Sequence, residues 1–408
     1  MDYVNTFRYR GSDVRVYAGK DALSNLKTEA ERANATKAFV VCGQSVAHRT
    51  DLLARIGQAL GERYAGAFDG VQASSPLPSV LAGAQAARKA GADMIVAVGG
   101  GSAIVTARAI TIVLAEGDDV HKLCTQYPPG KPPVSPRLAK PKLPIVNVLT
   151  TPTTAMNRAG TAVLDPASSH RLELFDPKTR PAAIIMDAQA LLTPDASGLA
   201  RSTAVACLSD AITSVAATPP NPLGDGDSVQ ALRLVMAYLP RLVREPDNAD
   251  ARVLLATAAF LCNRSEDAQG GGSGQFGVVR SLAHCLVSRY PRVGHGGAYA
   301  IVTVPCLRFN LAETLPGQAR LAEALGARTK GMSDEEAALA AHAAIEGLLR
   351  TLGMPLRLGE AGVPREAWRI RLSSSMPTAF RTGSRSSMSW KPRALPVTAA
   401  SPSRPRRR

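Results

Sequence analysis

The sequence predicts an α/β domain on a mostly parallel sheet, followed by an all-α domain. Three observations predict it. The chain has 408 residues, too long for one ordinary core. Over the first ~190 residues, short apolar runs alternate with segments of helical period. Beyond "ALLTPDAS" (190–197) strand-like alternation stops and only helical period persists. The expected units are 1–190 (α/β), 191–368 (all-helical) and a tail, 369–408.

The strands read as "VRVYA" (14–18), "KAFVVC" (37–42), "GAFDG" (66–70), "DMIVAVG" (93–99), "PIVNVLT" (144–150) and "AAIIMD" (182–187). Between the first four, "TDLLARIGQALGER" (50–63) and "LPSVLAGAQAARKAG" (77–91) carry helical period. Such βαβ alternation implies parallel strands with helices on both faces. The Pro-rich "YPPGKPPVSPRLAKPKLP" (127–144) reads as a surface loop near the mouth of a cleft. In the second part, 199–218, 227–243, 248–264, 277–290 and 333–353 read as helices.

"DMIVAVGGGSAIVTARAI" (93–110) joins a strand to a helix through three glycines and a serine. Glycines there let backbone approach a ligand closely, and free N–H groups at a helix start attract phosphate. The same turn could also be tight and bind nothing. The spacing is not the GxGxxG of the common dinucleotide fold.

Bulk properties limit the function classes. Hydrophobic content is 45% and charged content 20%, as in soluble globular proteins. "MDYVNTFRYRG" has no apolar core for a signal peptide, and no apolar run is long enough to span a bilayer, so a cytoplasmic protein without membrane partners is expected. The net charge of +15 invites a nucleic-acid reading, but from Arg369 onward nine Arg and one Lys with no acid account for ten of those charges. That Ser-, Arg- and Pro-rich tail reads as disordered, and it lacks the interleaved aromatics of a nucleic-acid platform, so no nucleic-acid partner is expected. The six cysteines form no CxxC and read as reduced, mostly buried thiols.

Several motifs in order resemble the iron-containing (group III) alcohol dehydrogenases, which include the maleylacetate reductases. They are "GADMIVAVGGGSAIVTARAI", "VYAGKDALSNL", "PLPSVLAGAQAARKAGAD", "LTTPTTAMNRAGTAV" against the family's PTTAGTGSE loop, "NPLGDGDSVQALRLVMAYLPRLV", "ADARVLLATAAFLC", and "RSLAHCLVSRYPRVGHGGAYAIVTVPCLRFN" against its HxxxH…HG segment. The resemblance runs from about Phe7 to Met354. It implies an N-terminal dinucleotide-binding domain, a helical C-terminal domain, NAD or NADP in the cleft between them, a small carbonyl or alcohol substrate, and a homodimer. The implied cofactor residues are Gly99, Gly100, Gly101 and Ser102 at the pyrophosphate, with Thr151, Thr153 and Thr154 on the other flank. Gly43 stands where NAD-selective members carry an acid, so a 2′-phosphate meets no carboxylate and NADP is admitted.

The resemblance also implies a divalent iron or zinc site, and here the chain departs from the pattern. Its four ligand positions read Ala206, Asp210, Arg280 and His295. Three protein ligands plus an open position are the usual catalytic minimum, and Arg280 carries a permanent positive charge. The expectation is a lost metal site; were one to persist, Asp210, His284 and His295 would hold it. Val105 replaces the Asp of GGGSxxD, and "MNRAG" replaces GTGSE. His284 is retained near the reacting carbon and is the expected proton donor, with Arg280 polarising the carbonyl or gripping a substrate carboxylate. A structural His284 is the alternative. His48, His121, His170 and His342 have no motif support. The implied activity is NAD(P)-dependent interconversion of a small alcohol with its aldehyde, ketone or keto acid. The alternatives are a nucleotide-binding pseudoenzyme or scaffold, and a lyase or synthase resembling dehydroquinate synthase, whose chemistry needs its metal.

Overall fold

The computed structural model describes residue 9 and residues 11–128, 130–168, 171–192, 196–218, 220–268 and 276–365. The start of the chain, His170 and the basic tail lie outside the described residues.

The N-terminal part contains β1 (Arg15–Gly19), α1 (Asn25–Arg32), β2 (Ala38–Cys42), α2 (Gln44–Arg49), α3 (Leu52–Leu60), β3 (Tyr64–Phe68), α4 (Leu77–Ala90), β4 (Met94–Gly99), α5 (Gly101–Glu116), α6 (Val120–Leu123), β5 (Ile145–Leu149), β6 (Gly160–Leu164), β7 (Arg171–Phe175) and β8 (Ala183–Asp187). Six strands form one sheet in the order β1-β8-β5-β4-β2-β3. Every pairing in it is parallel. Strands β2, β4, β5 and β8 are buried along their whole length, which explains their unbroken apolar runs.

The pleat sends alternate side chains to opposite faces. Val40, Val96, Val146 and Ile185 pack under α1 and α3 with Leu26, Ile56 and Leu60. Phe39, Val41, Ile95, Ala97 and Ile184 pack with Val80, Ile104 and Ile110 of α4 and α5, in a cluster that continues into the helical part.

From Ala196 the described chain is helical: α7 (Ala196–Ala216), α8 (Pro222–Arg244), α9 (Ala249–Ala268), α10 (Gly277–Arg289), α11 (Gly294–Phe309), α12 (Leu311–Ala324) and α13 (Asp334–Thr351). Local chemistry sets several ends. Asn221 accepts from the Leu223 and Gly224 N–H groups ahead of Pro222 in α8, and Ser333 with Glu336 forms a capping box on α13.

Several features differ from the sequence reading, the short helices α1, α2 and α6 among them. Strands β6 and β7 form a separate antiparallel hairpin that was not anticipated. Helices α11 and α12 were also unread. They contain Pro305 and Pro316, and α12 is kinked at Thr314 (φ −123°, ψ 16°). Proline and glycine there imitate helix breaks.

Candidate active site

The carboxyl ends of β2, β4 and β5 lie side by side, and the chain reverses its direction of travel across the sheet at β4. Such a switch point leaves a crevice where open α/β sheets bind ligands. Gly43, Gly99 and Thr151 lie at or just beyond those three strand ends. Gly99 has φ +145°, a region that favours glycine, and Gly100 caps the sixteen-residue α5. A Cβ on Gly100 would lie 2.7 Å from Thr151 Oγ1, and one on Gly101 3.4 Å from Thr153 Oγ1. Thr151 Oγ1 is buried and has no hydrogen-bond partner among the described residues. Bare backbone, a helix N-terminus and an orphaned hydroxyl converge at one point. These residues fit a dinucleotide pyrophosphate.

The segment after β5 is pinned from four directions. Arg108 of α5 donates from Nη1 to Gly160 O and from Nη2 to Ala155 O, both at 2.7 Å. Asn147 of β5 donates to Met156 O at 2.5 Å. Asn263 of α9 donates to Thr154 O at 2.8 Å. Arg180 donates to Asn157 O at 2.7 Å while its fork also meets Asp267 of α9, with two contacts of 2.9 Å. The loop carrying Thr151, Thr153, Thr154 and Arg158 is thereby tied to both parts of the chain. Burial, with the charges of Arg158 and Arg180, pushes the Arg108 guanidinium down to about 9, so it stays a cation at neutral pH.

At the positions where the sequence resemblance places the metal ligands, the side chains form an ion-pair network. Arg280 of α10 meets Glu266 at 2.8 and 3.1 Å and Asp210 of α7 at 3.1 Å. Arg158 reaches Glu266 at 2.8 Å and Asp210 at 3.9 Å. Burial alone would raise the Glu266 carboxyl, but the Arg158 and Arg280 charges outweigh it and hold the group at about 2. Asp210 raises Arg280 well above its usual value. The cavity left between Asp210, Cys262, Glu266 and Arg280 measures about 20 Å³, room for a water molecule.

An iron or zinc ion does not fit this donor set. Ala206 offers no ligand atom, and two guanidinium groups already engage both carboxylates. Among the described residues no three His, Cys, Asp or Glu side chains are placed to hold an ion.

Beside the network, His284 of α10 faces His295 and Tyr299 of α11. The ring centroids are 5.4 Å apart for His284–His295, 6.5 Å for His284–Tyr299 and 5.3 Å for His295–Tyr299. His295 and Tyr299 are four residues apart and share a helix face. Burial lowers the His284 imidazole to about 3, with His295, Arg171, Arg280 and Arg158 adding to the effect. Burial likewise lowers His295, opposed by Asp210. Both rings are neutral at neutral pH, so His284 cannot serve as an imidazolium acid there. Burial raises the Tyr299 hydroxyl.

The structure thus gathers Gly43, Gly99–Ser102 and Thr151–Thr154 at the strand ends. It brings Asp210, Arg280, His284 and His295 together on α7, α10 and α11. Ala206 lies on α7 one turn from Asp210. Sequence reasoning missed Glu266, Tyr299 and Arg171. Arg158 appeared in the quoted loop only as a departure, with no partner assigned. Tyr299 could have been found by its spacing from His295; Glu266 carried no motif. Elsewhere, His48 pairs with Asp69 at 2.7 Å on the surface, His121 lies 4.0 Å from Asp165, and buried His342 bonds Gln318 at 2.6 Å. The six thiols are free.

Comparison with known proteins agrees with this architecture. Residues 13–188 match the model of the iron-containing alcohol dehydrogenases, and residues 200–385 match the C-terminal model of the same family. The chain belongs to the iron-containing alcohol dehydrogenase family and is an enzyme of its dehydrogenase and reductase type. It is 28% identical over 351 residues to an NAD-dependent methanol dehydrogenase of Bacillus methanolicus, covering 85% of this chain and 88% of that one. It is 29% identical over 339 residues to maleylacetate reductase 2 of Cupriavidus pinatubonensis, covering 83% and 81%. The crystal structure of a 1,3-propanediol oxidoreductase superposes with a TM-score of 0.78 at 25% identity, over 89% of this chain and 91% of that one. No helix among the described residues is long and apolar enough to cross a membrane.

Proposed function

We propose that this chain is an NAD(P)-dependent oxidoreductase that interconverts a small alcohol with its aldehyde, ketone or keto acid without a tightly bound metal. The carrying observation is the Arg280–Asp210–Glu266–Arg158 network, in which two guanidinium groups engage both carboxylates that could otherwise ligate an ion. The bound dinucleotide supplies or accepts the hydride. Gly99 to Ser102 and the α5 N-terminus hold its phosphates, with Thr151, Thr153 and Thr154 opposite and Gly43 at the ribose end, where no carboxylate repels a 2′-phosphate. Arg280 and Arg158, each paired with carboxylates, would offer guanidinium N–H donors to the carbonyl oxygen. The neutral His284 ring relays a proton, accepting on one nitrogen as it releases from the other. We infer a cytoplasmic homodimer.

The test is oxidation of NADH and NADPH against a panel of aldehydes, ketones and keto acids, with and without chelator. Turnover that survives chelation is expected. Nucleotide binding without turnover of any carbonyl would favour the second reading, a nucleotide-binding scaffold, which the replaced ligand positions also support.

A further inference from the structure

Two adjacent carboxylates stand near the end of α9. Glu266 and Asp267 lie in its last turn, where the helix dipole disfavours negative charge. Each is gripped by an arginine from the N-terminal part of the chain. Arg158 meets Glu266 at 2.8 Å. The Arg180 fork meets Asp267 through both of its terminal nitrogens, at 2.9 Å each. Arg180 Nη1 also donates to Asn157 O at 2.7 Å, the carbonyl of the peptide that leads into Arg158. One guanidinium therefore holds both the backbone beside Arg158 and the carboxylate beside Glu266.

The base of Arg180 is fixed. It precedes Pro181, which favours extended backbone, and it sits at φ −61°, ψ 139° after the turn Pro177–Thr179. That turn lies against the same loop. Thr179 Oγ1 donates to Asp176 O at 2.8 Å, and the Asp176 N–H donates to Ala159 O at 3.3 Å. Arg158 itself donates from Nε to Thr154 O at 2.8 Å and from there reaches across to α9. The other ties of the loop fall elsewhere: Arg108 takes Ala155 O and Gly160 O, Asn147 takes Met156 O, and Asn263 takes Thr154 O and the Asn157 side chain. The carbonyl of the Asn157–Arg158 peptide is left to Arg180.

We infer that Arg180 is a positioning residue: its fork between Asp267 and Asn157 O sets the backbone from which Arg158 reaches Glu266 and offers its N–H groups to the substrate's carbonyl oxygen. The inference rests on the oxidoreductase reading proposed above and names a residue that acts through Arg158. A bidentate guanidinium–carboxylate contact fixes direction as well as distance, which suits it to this role. Displacing a donor by about 1 Å can cost on the order of 100-fold in rate. The threonines that face the glycine turn are held by the other ties, so dinucleotide affinity does not depend on Arg180.

The experiment is a double-variant cycle of Arg180→Met and Arg158→Ala in the full chain. It reads kcat and KM for reduction of an aldehyde, ketone or keto acid by NADH or NADPH, dinucleotide affinity by calorimetric titration, and the denaturant midpoint. Arg180→Met should lower kcat by about 10–100-fold and leave dinucleotide affinity unchanged. The double variant should be no slower than Arg158→Ala alone, because the two changes remove one function. An unchanged kcat in Arg180→Met, or losses that multiply in the double variant, would overturn the inference and leave the oxidoreductase reading standing. A parallel loss of dinucleotide affinity would assign Arg180 to the nucleotide crevice and also overturn it. If the wild type turns over no carbonyl, the oxidoreductase reading fails and the denaturant midpoints decide the inference. Arg158→Ala should then cost less in the Arg180→Met background than in the wild type, and an equal cost in both overturns it. Asp267→Asn, which keeps the shape of the partner and removes its charge, takes the place of Arg180→Met in the cycle should that variant not fold.

Discussion

The strand-end crevice and the helical site were built by different means. The crevice at Gly99–Ser102 is made of backbone: a positive φ, two Cβ-free positions and a helix start. The helical site is made of side chains drawn from four distant places, with Arg158, Asp210, Glu266 and Arg280 interlocked. A backbone device has few substitutes, since only glycine leaves the space. A side-chain device can be rebuilt with other chemistry, which is what the proposed function holds for the guanidinium groups of Arg158 and Arg280. The glycine turn therefore keeps the resembled pattern at Gly99 to Ser102, while Val105, the "MNRAG" stretch and the helical site depart from it.

The largest expected effect breaks the backbone device. Gly100→Val puts a side chain into space already 2.7 Å from Thr151 Oγ1 at its first carbon. Dinucleotide affinity should fall roughly 10–100-fold, the scale of a 1–3 kcal/mol overpacking cost. Calorimetric titration beside a circular-dichroism melt checks it; unchanged affinity would remove the nucleotide from this turn.

Breaking the side-chain device should instead cost stability. Arg280→Ala leaves Glu266 with Arg158 alone and Asp210 with a partner at 3.9 Å. The expected loss is about 2–3 kcal/mol, below the 3–5 of a fully buried pair because Arg280 is about a quarter exposed. The double variant with Arg158→Ala should cost less than the sum, as members of one network do. Denaturant midpoints decide it, and strict additivity would show that the two guanidinium groups act apart.

pH separates the two kinds of charge. The folded-state value of His284 lies below its unfolded value, so the unfolded chain binds more protons between about pH 6.5 and 3, and stability falls as pH drops through that window. Glu266 is also depressed, and its stabilisation is present above its unfolded value near 4 and is lost as pH falls toward 2. His284→Gln should flatten the slope between pH 6.5 and 4 and leave the acid limb in place. An identical slope in the variant would contradict the buried, neutral ring.

The smallest effect sharpens the crevice. Thr151→Val removes a buried hydroxyl that has no partner among the described residues. Stability should hold or rise by up to about 1 kcal/mol, while nucleotide affinity falls several-fold. A clear loss of stability would mean that the hydroxyl is satisfied within the protein.

The same contrast governs what could be read from sequence. Strands β2, β4, β5 and β8 were legible because full burial makes them continuous apolar runs, the partly exposed edge strands β1 and β3 because short apolar runs survive in them, and the glycine turn because its composition is its function. The hairpin was not: Arg171 and Glu173 interrupt its apolar residues, so its alternation is short and half charged. α11 was hidden by Gly296, Gly297 and Pro305, which punctuate most sequences as loops. At the helical site, the absence of a usual ligand set could be read position by position. Its replacement could not, because Arg158 and Glu266 lie 108 residues apart in sequence and meet only through the packing of α9 against the loop after β5.

The central claim is that guanidinium charge has replaced the metal. The direct measurement is the iron and zinc content of purified protein by mass spectrometry, with NAD(P)H-dependent carbonyl reduction assayed before and after chelation. Well under one equivalent of metal and an unchanged rate are predicted. Stoichiometric metal that survives dialysis and is lost together with activity on chelation would contradict the account, and would show that Asp210, His284 and His295 still hold an ion.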